Sequence, residues 1–388
     1  MTRFVYADNA ATTKLSKSAL DAMLPWLEDR YGNPSSVYQI GRTARRALDG
    51  ARLQVANALG TKPEEIIFTG SATEANNWAL RGVCEQLKDK GRHIISSSIE
   101  HHAISHTLED LEKQGFEVTY LPVDQFGHIS LEDLKNAIRE DTILITIMAA
   151  NNEIGTIEPV AEIGAIAREH GVLFHTDAVQ AVAHIPVDVE TMQIDLLSLS
   201  AHKFHGPKGV GALYIRKGVR LPSFITGGGQ EKGRRAGTEN VAGIIGMAKA
   251  LDDAVEHLDE SQVRISALRD KLIAGLTKLP AVHLTGHPTD RLPGIASFTF
   301  ACIEGEALIL MLDAAGIAAS SGSACSSGAL DPSHVLLAIG LPHEVAHGSV
   351  RFSFGEESTE ADVDYILEKV PPIVEKLRAM SPLWEESK

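Results

Sequence analysis

Positive charge is in short supply in this sequence. Over 388 residues, 36 Lys and Arg face 51 Asp and Glu, a formal net charge of −15, and the acids and bases are scattered rather than blocked. Such a surface repels a phosphodiester backbone, so nucleic acid is not expected as a partner. Long apolar runs are missing too. Apolar residues make up 44% of the chain, yet the cleanest stretch, Ile143 to Ala150, is eight residues broken by Thr146, far below the roughly 20 that span a bilayer. A soluble protein with no membrane partner is expected. The first residues meet an acid, Asp8, before a signal-like apolar core can form, which makes the cytoplasm the expected location. Cysteine is scarce: Cys84, Cys302 and Cys325 are too few and too widely spaced for a disulfide framework or a C-x-x-C pair. Any cysteine chemistry must then come from one thiol. No internal repeat or low-complexity linker is visible.

What is present is rhythm. From about residue 14 to 258, short apolar runs alternate with amphipathic stretches; the runs are 65–69, 93–97, 118–121, 143–147, 172–175, 196–200 and 212–215. This predicts parallel strands joined by helical crossovers, an α/β sheet covered on both faces. After about residue 258 the pattern changes to an amphipathic stretch (261–279), a strand (295–300), a helix (304–315) and a second strand (349–354). A smaller α+β domain is expected there, built from 259–388 with 1–13 and packed closely on the larger one.

Ligands of an open α/β sheet sit beyond the carboxyl ends of its strands, and polar clusters follow the runs accordingly. Gly70-Ser71-Ala72-Thr73 feeds a helix start, which offers free N–H groups and a positive dipole end to a phosphate; taken alone, the segment reads more simply as a cap with Glu74 in the first turn. Asp177 closes one run and Lys203 follows the next, 26 residues apart, the span of one crossover. A carboxylate and an amine facing one pocket suit pyridoxal phosphate, the amine forming an imine and the carboxylate keeping the pyridine nitrogen protonated. His101 and His102 follow a strand directly; His102 and His106 are an i, i+4 pair, more often structural than metal-binding. His343-Glu344-Val345-Ala346-His347 matches the zinc-protease string, but Pro342 before it and Gly348-Ser349 after it leave room for one short turn, so no metal is expected. Cys325 lies in nine small residues, 320–328, expected to form a mobile, exposed loop that presents a reactive thiol. Cys302, beside Phe300 and Ile303, and Cys84, within a helix, read as structural. Gly206 to Gly211 lacks the G-K-[ST] ending of a P-loop and reads as a turn.

Together these segments resemble the pyridoxal-phosphate cysteine desulfurases of the NifS/IscS type, within the fold-type I aminotransferase superfamily. The resembling strings are Tyr6–Thr13, Tyr31–Ser36, Thr69–Asn76, Asn151–Gly155, Ser200–Lys203, Arg235–Asn240 and Ser320–Cys325, in order along nearly the whole chain. The resemblance implies a large domain with a mainly parallel seven-stranded sheet flanked by helices, plus the smaller α+β domain. It implies Lys203 as the Schiff-base lysine, Asp177 at the pyridinium, Gln180 at the ring hydroxyl and His101 stacked on the ring. Ala72, Thr73, Ser200 and His202 would hold the phosphate. Thr238 would reach the phosphate of a neighbouring subunit, hence a homodimer. Asn152 and Arg351 would hold the substrate carboxylate, a task that suits a guanidinium fork.

The implied activity converts L-cysteine to L-alanine, with Lys203 taking the α-proton and Cys325 receiving the sulfur as a persulfide, then passing it to an acceptor or iron–sulfur scaffold protein. Competing readings are a cystine or selenocysteine lyase, a small-substrate aminotransferase, and a zinc hydrolase using His343 and His347.

Overall fold

The computed structural model describes residues 3–321 and 332–386. Its twelve strands, in chain order, are β1 (Val5–Tyr6), β2 (Ile66–Thr69), β3 (His93–Ser97), β4 (Glu117–Leu121), β5 (Thr142–Thr146), β6 (Leu173–Asp177), β7 (Leu196–Ser200), β8 (Gly211–Ile215), β9 (Val282–Thr285), β10 (Ile295–Phe300), β11 (Ile317–Ala318) and β12 (Ser349–Ser353). Seven of them form one sheet in the order β2-β8-β7-β6-β5-β3-β4, matching the seven predicted runs to within two residues at each end. Every residue of β2, β3, β5, β7 and β8 is buried. That is why these runs hold only apolar or uncharged polar residues instead of alternating with charged ones: helices cover both faces. The terminal strand β4 is the exception, mostly exposed or half-buried and opening on Glu117, as an edge strand that must resist further pairing.

The sheet is not wholly parallel. β3 to β7 pair in parallel, whereas β8 runs antiparallel to both β7 and β2. Its connection from β7 passes through a single turn, residues 201–210, too short for the dozen or more residues a parallel crossover needs.

The second body is an antiparallel sheet in the order β12-β10-β9. The helices Leu258–Leu276, Gly305–Ala314 and Glu360–Met380 supply its apolar cover, with Leu272, Leu312, Phe298, Phe352 and Ile366 fully buried among them. The amino-terminal segment links the two bodies. Val5 and Ala7 pack in the apolar cluster of the small sheet, β1 pairs with β11, and a few residues later Thr13 N–H donates to His202 O at 2.9 Å, beyond the end of β7.

Candidate active site

A cavity of about 370 Å³ lies beyond the carboxyl ends of the large-sheet strands, with Arg351 of β12 in its wall. The predicted residues Ala72, Thr73, His101, Asn152, Asp177, Gln180, Ser200, His202, Lys203 and Arg351 all line it. Two do not join them. Thr238 is exposed between the turn Gln230–Gly233 and the helix Val241–Glu256, and Cys325 lies outside the described residues.

One end of the cavity is an anion cradle. The helix Ala72–Leu87 is capped by Ser71, whose Oγ accepts Glu74 N–H at 3.1 Å while its carbonyl accepts Ala75 N–H at 3.1 Å. Capping and anion binding are therefore compatible. The N–H groups of Ala72 and Thr73 keep no acceptor among the described residues, as the first turn of a helix requires when a ligand is to complete it. Gly211 explains how the turn lies so close to the sheet: a Cβ there would sit 2.7 Å from the Ser71 carbonyl carbon and 2.9 Å from Ala72 N. The turn predicted over 206–211 thus ends one residue inside β8, where only glycine fits. The cradle is braced by Arg235, which grips Glu74 with Nε at 2.8 Å and Nη2 at 3.1 Å, while Glu74 Oε2 accepts Gly70 N–H at 2.9 Å.

The floor carries the carboxylate and the amine. Asp177, the last residue of β6, is buried and accepts Asn76 Nδ2 at 2.6 Å and Val179 N–H at 3.1 Å. Lys203 donates from Nζ to the carbonyls of Ala10 and Ala11 at 2.6 and 2.8 Å. Gln180 Nε2 donates to Ala10 O at 3.0 Å. Beside them His101 caps the helix His102–Glu112, its Nδ1 accepting Ala103 N–H at 3.1 Å, which leaves Nε2 as the protonated nitrogen of the neutral ring. Burial, with help from the Lys203 ammonium and against the pull of Asp177, holds this imidazole below its usual pKa. His202 is pushed down to about 4, by burial first and then by Lys203; its Nδ1 meets Thr12 Oγ1 at 3.1 Å.

The opposite wall is a guanidinium. Arg351 is buried, donates from Nη1 to Asn152 O at 2.6 Å and from Nη2 to Asp8 at 2.9 Å, and its Nε has no acceptor among the described residues. An unsatisfied buried donor in a cavity wall calls for a ligand acceptor.

Sequence reasoning missed several of these groups. Ala10 and Ala11 act through their carbonyls, Val179 through its N–H and Gly211 through its missing Cβ, none of which leaves a side-chain signature. Asn76 and Asp8 stood inside the resembling strings without a role; their signal was position, one helical turn after Thr73 and two residues before Ala10.

The other cysteines differ from each other. Cys84 is buried, in keeping with a structural role, and burial pushes its thiol up to about 12, which disfavours the thiolate. Cys302 departs from the expectation of an apolar burial: it is half-buried at a positive φ of 65° and borders a surface pocket with Glu304, His343 and His347. The helix at the zinc-like string covers only His343–Ala346, and among the described residues no three His, Cys, Asp or Glu side chains are arranged to hold a metal.

A cavity with a helix-start anion cradle, a buried carboxylate and an amine fits pyridoxal phosphate, and with this sheet it defines a pyridoxal-phosphate enzyme of fold-type I. The comparisons narrow the class. The model of the class-V aminotransferases matches residues 5–366. The cysteine desulfurase IscS of Methanosarcina thermophila is 58% identical over 98% of this chain and 94% of its own length. A solved NifS-like protein superposes with a TM-score of 0.92 at 42% identity, covering 97% of this chain and all of that one. A protein solved as SspA in complex with cysteine gives 0.81 at 39% identity, over 90% and 98% of the two chains. The chain belongs to the class-V aminotransferase family and, within it, to the pyridoxal-phosphate-dependent cysteine desulfurases.

Proposed function

We propose that this chain desulfurates L-cysteine to L-alanine, holds the sulfur as a persulfide on Cys325, works as a homodimer in the cytoplasm, and passes the sulfur to an acceptor protein for iron–sulfur cluster assembly or another sulfur transfer. The observation that carries the reading is the juxtaposition of Asp177, Lys203 and the Ala72–Thr73 helix start on one cavity with the Arg351 guanidinium opposite. The relative solved with cysteine supports the substrate.

When bound, pyridoxal phosphate supplies an electron sink that makes the substrate α-proton acidic. The residues divide the remaining work. Ala72 N–H, Thr73, Ser200 and His202 would hold the cofactor's phosphate, Asp177 would keep a proton at its ring nitrogen, and Gln180 and His101 would hold the ring. Asn152 and Arg351 bind the substrate carboxylate, the Arg351 Nε finding its acceptor there. Lys203 Nζ takes the α-proton, at a site where the neutral His101 adds no competing charge. Cys325, as thiolate, attacks the substrate sulfur: an S–S bond forms, the Cβ–S bond breaks, and its electron pair stays with the carbon skeleton, which is protonated and leaves as alanine. The sum is L-cysteine plus enzyme thiol giving L-alanine plus enzyme persulfide, which balances without an external oxidant or reductant.

A second copy is supported by exposed apolar side chains, Leu27, Tyr31, Val37 and Tyr38 along one stretch and Phe224 and Ile225 in another. The second stretch leads into the loop of Thr238, which would reach the partner's phosphate cradle. Such surfaces on a soluble protein mark an interface. A cytoplasmic setting goes with a thiol that must stay reduced. The division into a large domain, 14–258, and a small one, 1–13 with 259–388, belongs to the same reading and is supported by the separate apolar clusters of the two sheets.

The test is incubation of the purified protein with L-cysteine, measuring alanine and protein-bound persulfide together. One persulfide per site and continued alanine release with a thiol acceptor are expected, and Cys325→Ala should keep the cofactor colour while losing both products. Undiminished turnover in that variant would leave a lyase that needs no thiol.

A further inference from the structure

Glu153 is a buried carboxylate to which the chemistry above gives no task. It follows Asn152 directly, and the bend that presents them is fixed by Asn151, whose Oδ1 accepts the N–H groups of Glu153 and Ile154 at 2.8 and 3.0 Å. The Glu153 carboxylate accepts a hydrogen bond from Ser333 Oγ, 180 residues further along. Ser333 Oγ also accepts the N–H groups of Val335 and Leu336 at 3.1 and 3.4 Å as the cap of the helix His334–Ala338. Its own proton is therefore committed to Glu153. One residue on, His334 Nε2 donates at 2.9 Å to the carbonyl of Glu100, the residue before His101. Val335 and Leu336 then pack with Ile99, Met148 and Ile154.

The chain on the far side of residues 322–331 is tied as well. Ser320 pairs with Arg351 in both directions, N–H to O at 3.2 and 2.7 Å. Along the sequence, Cys325 is 325 − 320 = 5 residues from one tie and 333 − 325 = 8 from the other. Resting on the reading of Cys325 as sulfur acceptor, we propose that Glu153 and Ser333 are positioning residues. Their hydrogen bond fixes the Ser333 end of that span to the wall that carries Asn152 and Arg351, so that the substrate carboxylate and the arriving thiol share one frame of reference.

The test uses two substrates with the same amino and carboxyl groups. L-cysteine needs attack by the thiolate, whereas L-cysteine sulfinate releases its oxidised sulfur without a thiol acceptor. In the holoenzyme, Glu153→Ala should lower kcat on cysteine about tenfold or more, the scale of a small misplacement of a reacting atom. KM for cysteine and turnover of the sulfinate should stay within about twofold. Ser333→Ala should match it, and the double variant should be no worse than either single one. Glu153→Gln and Ser333→Thr, which keep the acceptor and the donor, should recover most of the rate. Equal losses on both substrates would place Glu153 in the carboxylate site and overturn the proposal, as would unchanged cysteine turnover in Glu153→Ala. Undiminished cysteine turnover in Cys325→Ala is a different failure: it removes the persulfide reading itself and leaves no thiol to position.

Discussion

The floor and the Arg351 wall of the cavity are built in opposite ways. On the floor each functional side chain closes its own strand or opens the next helix: Asp177 ends β6, Lys203 follows β7 by one turn, and Ala72–Thr73 start the helix after β2. The opposite wall is assembled across the chain, Arg351 bonding to Asp8 and to Asn152, 343 and 199 residues away. The floor side chains are placed by the ends of the large sheet, even though Lys203 and Gln180 also bond to Ala10 of the amino-terminal segment, whereas the Arg351 wall depends on how the two bodies pack. Variants of the floor should therefore strike the chemistry and those of the wall the binding of substrate.

Lys203→Ala gives the largest expected effect. With the amine gone, no base of comparable reach faces the substrate α-carbon, and turnover of cysteine should fall by at least about 10³-fold, the scale of a lost general base. The absorption band of the lysine-bound cofactor should vanish with it. Retained turnover, or an unchanged spectrum, would break the assignment of the floor.

Arg351→Lys probes the wall. A lysine keeps the charge but cannot reach Asp8 and the Asn152 carbonyl together while leaving a donor for a carboxylate. KM for cysteine should rise about 10- to 100-fold with a smaller change in kcat, and the cofactor spectrum should be unaffected. A loss confined to kcat would mean that Arg351 serves the chemistry, and the contrast between floor and wall would fail.

The same contrast explains what the sequence made legible. Six of the seven large-sheet strands stood out because both faces of the sheet are covered there, which removes the alternation with charged residues, and the exposed edge strand β4 stood out by its Val118-Thr119-Tyr120-Leu121 run. Floor residues were legible because strand ends in such a sheet point at one edge. The antiparallel course of β8 was less visible: an apolar run does not reveal its direction, and only the shortness of the 201–210 connection carries that information. The ties of Arg351 and Glu153 were invisible, since no local pattern announces a partner 180 or more residues away. Cys302 was misjudged because Phe300 and Ile303 are themselves buried, while the backbone turns over at the positive φ of the cysteine and carries it to the rim of a pocket.

Asn76→Ala sharpens the contrast from inside the floor. It removes the 2.6 Å donor to Asp177 without touching the reacting groups, leaving Val179 N–H as the bond that orients the carboxylate. A charge-assisted bond is worth about 1.5–3 kcal/mol, of which a fraction reaches the transition state, so kcat should fall several-fold. KM for cysteine should stay put, because the wall is intact. A rise in KM with constant kcat would show that floor and wall are not separable at this position.

The smallest expected effect lies behind the floor, in stability against pH. Burial pushes Glu158 up to about 8, with the neighbouring charges of Glu100 and Asp124 adding to it, and one of its carboxylate oxygens has no donor among the described residues. Glu100 is likewise raised to about 8, chiefly by burial. Both groups bind a proton in the folded state that the unfolded chain releases above its ordinary carboxylate range, near 4.5. Their contribution is thus fully present below 4.5 and is lost as pH rises towards 8. The buried imidazoles have the opposite sign. His175 and His184, lowered to about 3 and about 4 by burial, cost stability as pH falls below 6.5, where the unfolded chain takes up protons that the fold refuses. Glu158→Gln keeps the shape and removes one of the alkaline losses. Its melting temperature should match that of the parent near pH 5 and exceed it by about 2 °C or more at pH 8, using the usual conversion for large domains, with the acid limb of the profile unchanged. If the two profiles run parallel across the whole range, Glu158 is ionised in the fold and its unpaired oxygen has a partner. If the acid limb moves instead, the histidines and the carboxyls behind the floor titrate as one group.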